Sequence, residues 1–436
     1  MPVIKSVAII GAGAAGASAA TALAAEKYFD VIKVFERREE PGGTWIYDPI
    51  PPELDLVPGA LPPAIDPPLA IPDTLPVTTA PSTQERFIKT PIYDELTTNV
   101  PEIAMSLSDR RFAYGPFVPH WIPKNYIREY FSRHGEDALL SLNTTVEDIS
   151  RIEEPARGPL NRWALTLRRH DITRNVDEWW REEFDAVVLA NGHYAVPYVP
   201  SVPGLPEYLA KYPGRVVHSK TYRTPKTFAG KRVLVIGNSA SGHDVTDQLL
   251  RFDLVRRPVY QSRRSPSPWD GDAPAPGLVW KPVIAAFRPD DGAIVFADGS
   301  VLAYADVDVV VYATGYKPSY PFWNVRRNGG RALYDYDANR FVGTFQHTFV
   351  PDFPTLGLVG LPRTLTFRSF EYQAIALARV WAGRAVLPPA AEQRRWEAER
   401  VQQRRHDGTR FHDIAWDTGE TEAFLTHFLL ILRQSF

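Results

Sequence analysis

The spacing of apolar and polar residues predicts a strand, a turn, a helix and a second strand at the start of the chain. Residues 3–36 contain an apolar run at Val7–Ile10, a glycine-rich turn, a helical stretch of small residues and a second apolar run at Val31–Phe35. A further strand, glycine turn and helix are predicted between Lys231 and Leu250. Because the pattern occurs twice, we expect an α/β fold with two Rossmann-like dinucleotide-binding domains.

The remaining patterns divide the chain further. Eleven prolines between residues 49 and 81 predict an extended surface loop, since proline lacks a backbone donor and interrupts helices. Residues 123–137 have the pattern of an amphipathic helix that begins at a proline. A strand over Phe184–Ala190 runs into a proline-rich linker, which predicts a domain boundary near residue 195. Residues 391–406 are charged and predict a solvated helix.

Composition removes several classes of protein. The chain has no cysteine, which excludes disulfides, thiolate metal sites, cysteine nucleophiles and dithiol relays. A formal net charge of -2 gives no attraction for nucleic acid or anionic membranes. The first 25 residues share features with a secretory signal, but three glycines at fixed offsets favour a nucleotide turn. The apolar run 423–432 is about half the length that spans a bilayer. We expect a soluble, cytoplasmic protein without a bound metal.

The first glycine turn, GAGAAG, has the spacing of a dinucleotide site. Gly11 permits the tight turn, Gly13 lets the backbone approach a pyrophosphate, and Gly16 lets the helix lie on the strand. The helix N-terminus would hold the pyrophosphate through unpaired N–H groups. Glu36 ends the second strand, where its carboxylate accepts hydrogen bonds from ribose hydroxyls and repels a 2′-phosphate. This turn therefore favours FAD.

The second turn, GNSASG, departs from the pattern in one place. Gly237 and Gly242 match the outer glycines, whereas Ser239 stands where the middle glycine is expected and puts a side chain near the pyrophosphate. Its hydroxyl could instead donate to phosphate. Ser262, Arg263 and Arg264 follow the next strand, where a hydroxyl and two guanidiniums suit the 2′-phosphate of NADPH, with Arg263 as the preferred contact. Two nucleotide sites predict hydride transfer from nicotinamide to flavin, and without a Cys-x-x-Cys pair the acceptors left are oxygen, a quinone or a redox protein.

Four further motifs resemble the class B flavin-containing monooxygenases. They are PGGTW at residues 41–45, TNVP at 98–101, YPGRVVHSKTY at 212–222 and YATGY at 312–316. The third resembles the family's identifying motif, with Tyr212 replacing Phe and with Gly214, His218 and Tyr222 in place. Baeyer-Villiger relatives usually carry Trp at the last position, so Tyr222 favours heteroatom oxygenation. The proline-rich insertion and several flanking segments resemble the fungal branch that includes thiol-oxidising enzymes.

The resemblance implies the site residues. Asn99 would be the catalytic residue, beside the flavin ring and bound NADP, while Gly214 and His218 would mainly shape the domain junction. FAD would be held by Gly11, Gly13, Ala15, Gly16, Glu36, Gly43, Thr44, Trp45, Asn99, Val146, Thr314 and Gly315. NADP would be held by Tyr194, His218, Ser219, Gly237, Asn238, Ser239, Ala240, Ser241, Gly242, Ser262 and Arg263.

The resemblance also implies the domain order and the reaction. Residues 1–195 would form the first part of the FAD domain, 196–312 the NADPH domain, and 313–436 the second part of the FAD domain with C-terminal helices. NADPH would reduce FAD, and oxygen would add at flavin C4a to give a hydroperoxide that oxygenates a thiol, sulfide or amine. A homodimer is expected. Two alternatives stay open, namely Baeyer-Villiger oxygenation of a ketone and a non-enzymatic NADPH-binding module.

Overall fold

The computed structural model describes residues 3–153, 162–362 and 366–433. Its helices are α1 Ala14–Ala25, α2 Pro62–Ile65, α3 Glu102–Met105, α4 Trp121–Arg133, α5 Leu205–Lys211, α6 Ala240–Phe252, α7 Phe367–Trp381, α8 Ala390–Asp407 and α9 Glu420–Leu432. Its strands are β1 Ser6–Ile10, β2 Val31–Phe35, β3 Val77–Thr79, β4 Leu140–Ser141, β5 Thr144–Ile152, β6 Arg162–Asp171, β7 Val176–Phe184, β8 Ala186–Leu189, β9 Val196–Pro197, β10 Val216–His218 and β11 Arg232–Ile236. The chain continues with β12 Arg256–Ser262, β13 Leu278–Lys281, β14 Ile284–Arg288, β15 Ala293–Phe296, β16 Val301–Leu302, β17 Val309–Tyr312, β18 Tyr316–Lys317, β19 Tyr334–Asp335, β20 Arg340–Phe341 and β21 Leu356–Leu358.

The first glycine turn lies on a five-stranded parallel sheet in the order β21-β8-β1-β2-β4. Strand β1 is central, so its carboxyl end opens into the turn at the edge where α/β sheets bind ligands. Helix α1 consists almost entirely of small residues, which lets it lie close to the sheet on one side and to α7 on the other. Helix α9 packs on α7 in turn, and its Phe424, Phe428 and Ile431 enter the same core.

The second glycine turn lies on another five-stranded parallel sheet, in the order β10-β17-β11-β12-β13. Strand β11 is its central strand, as β1 is in the first sheet, and α6 follows it. The α/β fold with two Rossmann-like units is therefore confirmed. The chain leaves the first sheet along β9 and returns along β18, and these two short strands pair antiparallel with each other. The crossings between the two units therefore form one ribbon.

The proline-rich segment contains regular structure, so the prediction of an extended loop over 49–81 is wrong in part. The sequence Val77–Thr79 has two β-branched residue types and no proline, and it adds to β7 as an edge strand of the sheet β3-β7-β6-β5. Helix α2 starts on two prolines, which the first turn of a helix tolerates. Near the other end of the segment, the Gly59 N–H donates to the Val199 carbonyl at 2.8 Å, beyond the crossing strand β9.

Three other sequence expectations shift at their boundaries. Helix α4 begins at Trp121, two residues before the predicted proline, and ends at Arg133. Phe184 closes β7, and the predicted strand at 184–190 is β8, which starts at Ala186. The charged helix is present as α8, although Arg404 is buried within it. Over residues 3–153, 162–362 and 366–433, no helix combines the length and apolar character needed to cross a bilayer.

Candidate active site

The first glycine turn is held by backbone contacts that leave no space for side chains. Gly11 has a φ of +101°, and a Cβ there would lie 2.7 Å from the Ala190 carbonyl oxygen. A Cβ at Gly16 would lie only 1.9 Å from the Gly11 carbonyl oxygen. The Gly11 N–H donates to the Phe35 carbonyl at 2.8 Å, which fixes the turn at the end of β1 and β2. Helix α1 can approach the sheet only because both positions are glycine.

The segment after β2 closes over this turn. A Cβ at Gly43 would lie 2.7 Å from Gly13 Cα, and the Gly42 N–H donates to the Ala12 carbonyl at 3.0 Å. Gly43, Thr44 and Trp45 form one turn of 3₁₀ helix. No side chain caps the N-terminus of α1, and its first turn has no acidic residue. The backbone N–H groups at this helix end have no side-chain cap, and their positive polarity fits the FAD pyrophosphate.

Glu36 is 6% exposed and has a fixed orientation. It accepts the Ala12 N–H at 2.8 Å with one carboxylate oxygen and the Arg38 N–H at 2.9 Å with the other. Each carboxylate oxygen retains a lone pair that can accept a ribose hydroxyl. Val146 packs in the same core cluster as Ile10 and Phe35, which immediately precede Gly11 and Glu36. The structure therefore brings the predicted residues around Gly11, Gly43 and Glu36 together, with Val146 beneath them.

The second turn repeats the first in its backbone. Gly237 has a φ of +108°, and a Cβ there would lie 2.6 Å from the Ala313 carbonyl oxygen. A Cβ at Gly242 would lie 2.2 Å from the Gly237 carbonyl oxygen. The buried Gln261 amide donates to the Gly237 carbonyl at 3.2 Å and to the Gly242 carbonyl at 3.4 Å. Nothing in the spacing of the sequence marks Gln261 as a support for the turn.

Ser239 lies at the exposed N-terminus of α6. It is the N-cap residue, yet its side chain makes no capping hydrogen bond, and the first turn of α6 has no acidic residue. Ala240 and Ser241 complete this end of the helix, which fits the NADP pyrophosphate by the same argument as α1. Asn238 is oriented by its amide, which donates to the Ser265 carbonyl at 2.8 Å and to Asp270 at 2.9 Å.

Arg263 is held in place by two residues that the sequence analysis missed. Its guanidinium lies 3.4 Å from the centroid of the Trp280 ring and pairs with Asp270 at 2.7 Å. Asp270 also accepts the Ser267 N–H at 2.8 Å. A planar guanidinium stacked on an aromatic face keeps further N–H donors for a phosphate. Ser262 is 3% exposed and its hydroxyl donates to the Pro282 carbonyl at 2.8 Å, so of the two predicted residues Arg263 is the more accessible.

His218 ends β10 at the junction of the two units. Its Nδ1 accepts the Lys220 N–H at 3.0 Å, and its Nε2 donates to the Gly315 carbonyl at 3.1 Å. Burial lowers the pKa of His218 to about 3, so the ring is neutral. Backbone groups occupy both ring nitrogens, which gives the ring a structural role at the junction, and NADP binding at His218 stays a prediction. The ring also lines a cavity of about 530 Å³ beside α5 and the proline-rich segment.

The other residues predicted at the junction of the two units lie close to His218. The Tyr316 ring contacts the rings of His218 and Tyr194, at 5.3 Å and 5.8 Å between centroids, and Tyr194 is 45% exposed. Ser219 follows β10 and is buried. Thr314 and Gly315 follow β17 of the second sheet, where the Tyr198 N–H donates to the Gly315 carbonyl at 3.0 Å. Their contacts are thus with the crossing ribbon, and FAD binding by Thr314 and Gly315 stays a prediction.

Asn99 is exposed and lies in a bend that directly follows the anchored residue Thr98. The Thr98 N–H before it donates to the Val118 carbonyl at 2.8 Å, and the Val118 N–H donates to the Thr98 hydroxyl at 3.1 Å. Val118 is followed by α4, which contacts the 3₁₀ turn at Gly43–Trp45. Asn99 is therefore connected to the closing segment of the first site.

Together, the two turns define a flavoprotein that also binds a nicotinamide nucleotide. Comparison with known proteins gives the same result. Residues 83–264 match the family described as flavin-binding monooxygenase-like, and residues 9–56 match the NAD(P)-binding Rossmann-like domain.

Three similar proteins illustrate the extent of the match. Flavin-containing monooxygenase GS-OX-like 4 of Arabidopsis thaliana is 31% identical over 399 residues, covering 88% of this chain and 77% of the relative. Flavin-containing monooxygenase iboF of the fungus Amanita muscaria is 29% identical over 444 residues, covering 90% and 81%. The structure of S-allyl-L-cysteine S-oxygenase from Allium sativum has a TM-score of 0.77 and 27% identity, covering 99% of this chain and 89% of that chain.

The chain belongs to the flavin-containing monooxygenases. FAD and NADPH are the cofactors of this family, and a monooxygenase requires O2 and a small-molecule substrate. The family predicted from PGGTW, TNVP and the His218 motif is thus confirmed, with a fungal protein among the relatives.

Proposed function

We propose that this protein oxygenates a soft nucleophile, sulfur first and amine nitrogen second, at the expense of NADPH and O2. The observation that carries the proposal is the pairing of two nearly identical glycine turns with opposite charge at the position that meets the ribose. Glu36 excludes a 2′-phosphate from the first site, whereas Arg263 attracts one at the second. FAD supplies the oxygen-activating chemistry when bound.

The residues of the chain bind and orient. The N-terminus of α1 holds the pyrophosphate of FAD, and Glu36 holds its ribose through its two fixed oxygens. The N-terminus of α6, with the Ser239 hydroxyl, and the stacked Arg263 hold NADPH. Asn99 follows Thr98, which is anchored on Val118, and its amide orients the flavin ring and the bound NADP. The neutral His218 takes no part in proton transfer, so its contribution is to the position of Gly315.

Sulfur is the preferred reacting atom on two grounds. The Allium sativum structure, which this chain matches over 99% of its length at 27% identity, is named an S-oxygenase. Tyr222 occupies the motif position at which Baeyer-Villiger relatives carry Trp. A homodimer and a cytoplasmic location stay predictions; a mass measurement in solution tests the first.

The direct test is NADPH oxidation by the purified holoenzyme in air, with small thiols, thioethers, amines and ketones as substrates. We expect NADPH oxidation matched by oxygenated product for thiols or thioethers, lower turnover with amines and no ester from a ketone. Peroxide release is measured in parallel. Ester formation from a ketone, or transfer of all reducing equivalents of NADPH to hydrogen peroxide, would contradict the proposal.

Asn99 is tested by Asn99→Ala, which we expect to lower the product formed per NADPH several-fold and to raise the peroxide released. Loss of one positioned donor in a catalytic site typically costs about 10²–10³ in rate, and an exposed site costs less. The control is Thr97→Ala, an exposed side chain of the same segment. Wild-type coupling in Asn99→Ala would remove Asn99 from the mechanism.

A further inference from the structure

A short stretch of the first part of the chain packs into the core of the second nucleotide unit. Tyr93 is 5% exposed and belongs to the apolar cluster built by β11, β17 and α6, with Leu96 packed against that cluster. The Tyr93 ring contacts the Tyr222 ring edge-on, with centroids 5.5 Å apart. The Asp94 N–H donates to the Arg223 carbonyl at 2.9 Å. Residues 93–96 therefore belong physically to the unit that binds NADPH.

The Tyr93 side chain also makes a polar contact with helix α6. The Tyr93 hydroxyl donates to the Asp244 carboxylate, in the second turn of α6. Burial raises the pKa of Asp244, and the hydrogen bond from Tyr93 opposes that shift. A half-buried carboxylate without this partner would be costly, so the bond favours one placement of Tyr93.

From the Leu96 carbonyl onward, the backbone is held by the FAD unit. The His120 N–H donates to the Leu96 carbonyl at 3.0 Å, and the Thr98 N–H donates to the Val118 carbonyl at 2.8 Å. Asn99 comes next. Only five peptide units separate Tyr93 from Thr98, so displacement of α6 would be transmitted to the backbone beside Asn99.

We propose that Tyr93 and Asp244 are positioning residues that couple NADP binding at the N-terminus of α6 to the position of Asn99. The inference rests on the proposed function, since it needs a nucleotide on α6. A nucleotide that immobilises α6 also immobilises Tyr93, and thereby the segment 93–99. Coupling of this kind requires a physical contact that both sites bias, and the Tyr93–Asp244 bond is that contact.

Hydrogen exchange of the oxidised holoenzyme, with and without NADP⁺, tests the coupling. The amides of Asp94, Leu96 and Thr98 are all hydrogen-bonded, so their exchange is measurable. We expect NADP⁺ to slow exchange over 237–246 and over 93–99 in the wild type. In Tyr93→Phe, protection over 237–246 should remain while protection over 93–99 falls at least threefold. Equal protection of 93–99 in both proteins would overturn the inference.

Asp244, which accepts the hydrogen bond from Tyr93, can be replaced conservatively. Asp244→Asn keeps an oxygen that accepts the Tyr93 hydroxyl, and it should keep the protection over 93–99, whereas Asp244→Ala should lose it. The control is Tyr208→Phe, which removes a hydroxyl from a tyrosine that is also buried in the second unit and donates to Gly292. It should behave as the wild type does. If Tyr93→Phe does not fold, Tyr93→Phe/Asp244→Leu removes both polar partners and takes its place.

A kinetic measurement distinguishes a positioning role of Tyr93 from a merely structural one. Tyr93→Phe should raise the fraction of NADPH equivalents released as peroxide several-fold and leave the KM for NADPH within about twofold of the wild type. Absence of NADP⁺ protection at 237–246 in the wild type would mean failure of the proposed function itself. Protection there with no change at 93–99 in any protein would overturn the coupling alone.

Discussion

The two glycine turns have nearly the same backbone but different surroundings. Gly11 and Gly237 have φ values of +101° and +108°, and the first N–H of each turn donates to the adjacent strand at 2.8 Å and 2.9 Å. The turns differ at the middle position, where Gly13 lies against Gly43 and Ser239 is exposed. The outer glycines are thus required by the fold, whereas the middle position holds a serine in the second turn and is closely approached by Gly43 in the first.

The same comparison explains how the nucleotides are distinguished. In the first unit the residue after the second strand is Glu36, which two backbone N–H groups hold in place. In the second unit Arg263 lies one residue beyond β12, on the Trp280 ring. Two turns of one design can therefore bind two nucleotides, because recognition of the ribose is separate from recognition of the pyrophosphate.

The largest effect is expected from alanine at the third glycine of each turn. Gly16→Ala should give protein without bound FAD, because its Cβ would lie 1.9 Å from a carbonyl oxygen and α1 would have to move. Gly242→Ala, with a distance of 2.2 Å, should retain FAD and lose NADPH-dependent flavin reduction. Flavin absorbance and anaerobic reduction measure the two effects. Each variant is the control for the other, and loss of FAD from Gly242→Ala alone would reverse the assignment of the two sites.

The second largest effect is expected at the ribose position. Arg263→Ala should lower kcat/KM for NADPH by roughly 10- to 100-fold and that for NADH much less, since hydrogen bonds to charged groups contribute about 1.5–3 kcal/mol. The control is Arg264→Ala, an exposed arginine next in sequence. Parallel loss with both nucleotides would show that Arg263 supports the loop and does not read the phosphate.

Much of this comparison could be predicted from the sequence. Both turns, their strands and Glu36 follow from short-range spacing, because a glycine turn between a strand and a helix is a local requirement. Arg263 follows from its distance beyond Gly237. The crossing of the chain near residue 195 follows from a change to proline-rich composition.

The remaining contacts depend on how later segments fold back on the turn, or join residues far apart in sequence, so spacing gives no sign of them. Asp270 and Trp280 come from a later loop and strand, and Asp244 meets Tyr93 across 151 residues. The strand Val77–Thr79 does not follow from composition because proline content is a property of the whole segment, whereas the three residues that pair with β7 contain none.

A third test concerns the junction between the two units. The Lys220 ammonium is fully buried and donates to the carbonyls of Phe87 and Ala195. Burial, with repulsion from Arg37, lowers the pKa of Lys220 to about 7 from its ordinary value of 10.5. Between these values the unfolded chain binds more protons than the folded one, so Lys220 makes the free energy of unfolding rise with pH.

Lys220→Met removes the contribution of Lys220 to the pH dependence of the free energy of unfolding. The stability of the wild type minus that of Lys220→Met should be constant below about pH 7 and should increase by about 1 kcal/mol per pH unit from pH 7 to 10. Denaturant unfolding at a series of pH values measures it. The exposed Lys226→Met should follow the wild type. If the stability difference between the wild type and Lys220→Met did not vary with pH, Lys220 would titrate alike in the folded and unfolded states.

The smallest effect is expected at the position where the two turns differ. Ser239→Gly should change the KM for NADPH by less than about threefold, because one neutral hydrogen bond to phosphate contributes about 1 kcal/mol and the backbone is already in the required conformation. The matched change, Gly13→Ser, should weaken FAD binding more than Ser239→Gly weakens NADPH binding, because its Cβ would lie 3.4 Å from Gly43 Cα and its hydroxyl would need space beyond that contact. If Ser239→Gly raised the KM tenfold or more, the hydroxyl would be a principal phosphate ligand. The two turns would then differ in how they bind the pyrophosphate as well as the ribose.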